Sequence, residues 1–258
     1  MKKILSAVLI LAMIMTGVCL FTSCDLGATA TSVVEKADAA LTAAPYSMTV
    51  SMDFECDDAE LNDILDSMSM EVPVTVDGEN IFLSMGVTAE STSIDVKMTV
   101  FERVLYYDMS FMGESIKMKA TMNDEEYAEF MKDSNTSLPV EPRHFETLTL
   151  EKKDGKQVVT CIGLTEEGRA ALNEMLGETT GSIDGEAALN DLSYVLTIVD
   201  GKYESMAMSV AYSFTEDGKT VNASITMGIT FSYENVSPVT APADADQYTD
   251  VNVGDLLG

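Results

Sequence analysis

The chain has no tryptophan, a single histidine, and little positive charge: 15 Lys and Arg stand against 43 Asp and Glu in 258 residues. Each shortage excludes something. A net charge of −28 argues against nucleic acid as a partner and against lying flat on an anionic membrane, since both present like charge. One histidine, His144 in "EPRHFE", cannot supply the His/Cys clusters of a zinc site, and no CxxC suggests a redox pair. The nucleophile elbow G-x-S-x-G is missing, and so are glycine-rich phosphate loops. With carboxylates this abundant, a pair of them carries no information without geometry. The expectation is a protein without catalysis, metal or cofactor, in which His144 is a surface or packing residue. The acidic run "DADQYTD" (244–250) lacks the sixth-position glycine and the distal glutamate of a calcium loop, and is read as a polar tail.

Cysteine is scarce too: Cys19, Cys24, Cys56 and Cys161 are all there are. The first two fall in the opening "MKKILSAVLILAMIMTGVCLFTSCDLG", where two lysines precede an apolar run with small residues before Cys24, the layout of a signal peptide. The run from Ile4 to Phe21 approaches the ~18–20 residues that span a bilayer. The segment "LFTSC" (20–24) tips the reading the other way, because it resembles the lipobox of bacterial lipoproteins, whose cysteine is lipidated and becomes the new N-terminus. Acyl chains on Cys24, at about 0.8 kcal/mol for each buried methylene, would anchor the protein to a membrane. The expected layout is a signal peptide over 1–23, a tether over 24–30, one domain over 31–245 and a C-terminal tail over 246–258. The expected address is the extracytoplasmic face of the cell membrane. Two readings are open for Cys56 and Cys161: one disulfide, allowed in an oxidising compartment, or two buried thiols.

What the chain does have is clear hydrophobic periodicity. Val33, Val34, Ala37, Ala40 and Leu41 recur at helical spacing until Pro45. From Tyr46 the period becomes two: Met48, Val50, Met52, Phe54 and Cys56 alternate with polar residues, as in a half-buried strand. A short helix is expected over 57–68, then strands over 80–89, 92–101, 103–111 and 114–122. A helix follows over 123–133, opened by the capping box Asn123 to Glu126. The stretch 145–163 reads as a hairpin about Asp154-Gly155, and 164–177 as a helix capped by Thr165. The glycine-rich run 177–187 reads as a loop. Strands over 193–199, 202–214 and 219–233 would join at Asp200-Gly201 and Asp217-Gly218. The similar openings "MNDEEYAEFM" and "LTEEGRAALNEML" suggest two similar halves.

The fold class expected is α+β, a strongly curved antiparallel sheet of about ten strands, an incomplete β-barrel plugged by amphipathic helices. Asn222, Ser224, Thr226, Thr230 and Ser232 make the other face of the last strand polar, which excludes a membrane barrel.

The 18 methionines are the unusual abundance. The pairs Met68-x-Met70 and Met206-x-Met208 raise copper(I), which soft thioethers bind. Their alternation with Val, Ile and Phe argues instead for an inward-facing wall, either a packed core or a deformable apolar cavity. The candidate cavity residues are Met52, Phe54, Met98, Met109, Met118, Met206, Met208 and Met227.

Lipobox, short tether, the helix "VVEKADAALTAAP", the strand "YSMTVSMDFE" and the exit "FSYENVSPVTAPADADQY" together resemble the LolA/LppX-like lipoprotein superfamily. The resemblance implies an open barrel plugged by helices around a hydrophobic cavity, and brings no catalytic residue. The expected function is a monomeric, membrane-anchored lipoprotein binding a lipid or another apolar ligand. The alternative is a closed-core interaction or sensor module whose acidic surface meets a basic envelope partner.

Overall fold

The computed structural model describes residues 28–57, 70–89, 92–111, 113–134, 144–170, 187–216 and 219–254. The expected helix at 57–68, most of the helix at 164–177 and of the loop at 177–187, the Asp217-Gly218 turn and Cys24 lie outside them.

Helix α1 (Ala28–Ala43) leads into β1 (Tyr46–Cys56), and Pro45 between them stops the helix as its ring requires. A meander follows: β2 (Met70–Asp77), β3 (Asn80–Ala89), β4 (Thr92–Phe101), β5 (Val104–Phe111) and β6 (Glu114–Thr121). Helix α2 (Asp124–Ser134) ends this half. The second meander runs β7 (Phe145–Lys153), β8 (Lys156–Leu164), β9 (Ala187–Val199), β10 (Lys202–Glu216) and β11 (Lys219–Ser232). A short β12 (Thr249–Asp250) closes the described chain.

All twelve strands form one curved, unclosed sheet in the order β12-β6-β5-β4-β3-β2-β1-β11-β10-β9-β8-β7. The two meanders meet at one seam, where β1 pairs antiparallel with β11 from Ser47↔Ser232 to Cys56↔Ala223. Among the described residues only β12 runs parallel to its neighbour. The architecture is broadly α+β, and the helices among the described residues are few and small beside the sheet.

Sequence chemistry explains the local choices. Asp154-Gly155 and Asp200-Gly201 both carry positive φ at each residue and close two-residue hairpins, the type I′ geometry that matches strand twist. The turn Glu102-Arg103 has the same geometry without glycine, with φ of 49° and 65°. The capping box of α2 is in place: Glu125 and Glu126 N–H groups donate to Asn123 Oδ1, and the Asn123 N–H donates to Glu126 Oε2 at 2.8 Å. Thr165 caps the helical turn that begins at 166, its Oγ1 accepting from the Gly168 N–H at 3.1 Å. Gly168 is pressed against the start of β7, where a Cβ would stand 2.5 Å from the His144 carbonyl oxygen. His144 itself is buried there, so it is a packing residue at a strand end.

Strand β2 is an addition to the expected set. Its alternation is intact, with Val72 and Val74 buried and Glu71 and Pro73 exposed, and Pro73 faces β1 alone, since β3 joins only from Val74 onward. A proline so placed removes no bond from a second ladder. Residues 244–251 are likewise more than a loose tail. Tyr248 is buried, stacking edge-on to Tyr106 at 5.4 Å. Lys117 pairs with Asp244, Lys119 donates to the Ala245 carbonyl, and the Val251 N–H bonds the Lys119 carbonyl. The segment is a strap across the face that carries Tyr106, Lys117 and Lys119, and it pairs with the β6 edge.

Of the two readings open for Cys56 and Cys161, the structure has the pair of thiols: no disulfide joins them. Four strand spacings separate β1 from β8 in the sheet, about 19 Å along it, whereas a disulfide needs Cα atoms within about 7 Å.

Candidate functional site

The register sorts the candidate cavity residues into two groups. Across β1, β11, β10, β9 and β8 one row reads Met52, Met227, Met208, Tyr194 and Cys161. A neighbouring row carries Phe54, Ile225, Val210 and Leu192, and another Val50, Ile229, Met206 and Leu196. Helix α1 lays Ala30, Val34, Ala37 and Leu41 on this wall, one stripe of a 3.6-residue period. The methionines there are closed to solvent: Met206, Met208 and Met227 are each 1% exposed. Met52, Phe54, Met206, Met208 and Met227 therefore belong to a dry core against which α1 packs.

One polar contact anchors that helix. The Tyr203 hydroxyl donates to Asp38 Oδ1 at 2.7 Å, while Asp38 Oδ2 is buried without a hydrogen-bond partner among the described residues. Desolvation pushes the Asp38 carboxyl up to about 6, against the Tyr203 bond that lowers it. Beside it, the Lys36 side chain lies over Gly201, where a Cβ would come within 2.8 Å of it.

The other candidates, Met98, Met109 and Met118, sit on the same face in the other half of the sheet. Here three rows cross β3 to β6. The first is Leu83, Met98, Tyr107 and Met118; the second Met85, Val96, Met109 and Ile116; the third holds Ile94, Phe111 and Glu114. Burial falls row by row along the strands. Val100, Leu105 and Ala120, at the α2 end, are sealed against Met122, Tyr127 and Phe130 or beside them. The first row is half-buried, and the last positions are open: Ile116 is 49% exposed and Phe111 44%. Glu114, cross-strand from Phe111, is the one charged side chain on these rows. Tyr107 points its hydroxyl at Met109 Sδ, 3.7 Å away, and burial raises its pKa.

The opposite face of the same strands is polar. Asp95, Lys97, Asp108, Lys117 and Lys119 alternate onto it, with Ser115 Oγ donating to Asp108 Oδ1 at 2.8 Å. The strap lies on that side, and its hydrogen bond to Lys117 holds Asp244 below the usual carboxylate range. Cation-bearing side chains and apolar wall are thus on opposite sides of one sheet.

The candidates Met98, Met109 and Met118 leave out Leu83, Met85, Val96, Tyr107, Phe111 and Ile116, which share or adjoin their rows. The alternation in "VLYYDMSF" and "ESIKMKAT" carries that signal, once the hairpin about Gly113 fixes which residues face each other. Among the described residues no cluster of His, Cys, Asp and Glu could hold a metal ion, and no helix is long and apolar enough to cross a membrane. No family model and no curated protein matches the chain.

Proposed function

We propose that the protein is a non-catalytic lipoprotein, acylated at Cys24 on the extracytoplasmic face of the cell membrane, that holds an apolar or amphipathic ligand against the concave face of β3–β6. The observation that carries this reading is the burial gradient. The same face that is dry under α1 becomes half-buried at Met98, Met109 and Met118 and open at Phe111 and Ile116. An apolar wall left partly wet is a site for an apolar occupant. Methionine suits such a wall, because its unbranched chain re-packs around differing shapes. The lipobox supports the anchor, and the resemblance to LolA/LppX-like lipoproteins agrees with an open barrel that takes a hydrophobic guest.

Organic extraction and native mass spectrometry of the purified protein test it. The expected result is a co-purified apolar molecule that is lost in Met109→Asp while the circular dichroism stays unchanged. Repeated absence of a ligand, with no uptake of an apolar dye, would sink this reading and leave the closed-core module that meets a basic partner.

A further inference from the structure

We infer that the ligand of this wall is a cationic amphiphile, its tail along Met85, Val96 and Met109 and its positive head between Glu114 and Phe111. The inference rests on the proposed apolar-ligand reading and adds the charge of the guest.

The argument begins with strand alternation. Because successive side chains point to opposite faces, Lys97, Lys117 and Lys119 all fall on the side opposite the apolar rows. There Lys117 is engaged by Asp108 and Asp244, and Lys119 by Asp250. The apolar rows of β4–β6 thus offer no cation to an anionic headgroup. They offer the reverse at their open end. Phe111 and Glu114 are cross-strand partners beside the Gly113 turn, both exposed, and Ile116 lies on the same face two residues on. A carboxylate beside an aromatic ring matches a quaternary ammonium, which is attracted by both the charge and the ring face. Behind that pair, Met109 and Val96 continue the apolar surface inward. The chain's overall charge of −28 adds long-range attraction for the same sign.

Isothermal titration calorimetry separates the possibilities, with decyltrimethylammonium and decyl sulfate added to the purified protein below their micelle-forming concentrations. The tails are alike, so the ratio of affinities reads the head. The expected ratio is about tenfold in favour of the ammonium, the size of one exposed cation–π contact plus one exposed ion pair. Glu114→Gln should cut that ratio to about threefold, and Phe111→Leu should lower it as well. Glu166→Gln, which removes the same charge beside the far edge of the sheet, should leave it unchanged. Equal binding of the two amphiphiles, tighter binding of the sulfate, or an unchanged ratio in Glu114→Gln overturns the inference while the apolar site stands. Failure of both to bind takes the apolar-ligand reading down with it.

Discussion

Identical side chains do different work at different positions in this sheet, and methionine shows it best. Met208 packs in a dry row between Met227 and Tyr194, whereas Met109 stands half-wet between Val96 and Ile116. Urea unfolding should show Met208→Ala costing about 2–5 kcal/mol, as for a buried large-to-small change, while Met208→Leu costs less than about 1.5. Asp38 allows a prediction with a sign. Its folded pKa, about 6, lies above the ordinary 3.8, so between those values the folded state binds the extra proton. Its contribution to stability is full below pH 3.8 and is lost as pH rises through 6. Asp38→Asn should therefore gain melting temperature relative to the parent as pH goes from 4 to 7 in a thermal-shift series. An unchanged difference across that range would mean the carboxyl is not desolvated. Thiol titration of the denatured mature protein checks the cysteines: the proposed acylation of Cys24 predicts two reactive thiols, Cys56 and Cys161.

At the level of elements, the hairpin turns are where sequence and structure agree most closely, and the Glu102-Arg103 turn is where they part. An Asp-Gly pair announces a type I′ turn, because glycine and aspartate tolerate positive φ. Glu102 carries no such signal, and an L-residue in that region costs roughly 1–2 kcal/mol. Glu102→Gly should stabilise the protein by about 1 kcal/mol in denaturant titration, since its N–H bond to Asn80 Oδ1 survives the change. Arg103 should not be replaced in the same test, because its guanidinium pairs with Asp124 and lies 5.6 Å over the Tyr127 ring. Strand β2 was hidden for a related reason: a proline stands in its middle, and the sheet accommodates it only because its β3 side is unpaired there. The strap was hidden because its hold comes from side chains far away in sequence. Alternation, capping box and Pro45 are local and were legible; Lys117 meeting Asp244 is not. Truncation after residue 236 should uncover the β6 edge and raise self-association in light scattering, the hazard of an unprotected edge strand.

Over the whole molecule, the sheet divides into a sealed half and an open half, and the division follows α1. Periodicity showed which residues face inward but could not show how far a sixteen-residue helix reaches across a twelve-stranded sheet. That reach decides which methionines are core and which are wall. The seam between β1 and β11 has a further bearing, on how the protein comes to be. Its partners, such as Ser47 and Ser232, stand near opposite ends of the described chain, so the central ladder cannot zip until nearly all of the polypeptide is present. Pairings of such sequence distance raise contact order and slow folding. Until β11 is made, β1 is held on its β2 edge alone, so the first meander carries an open strand edge on which a second copy could add.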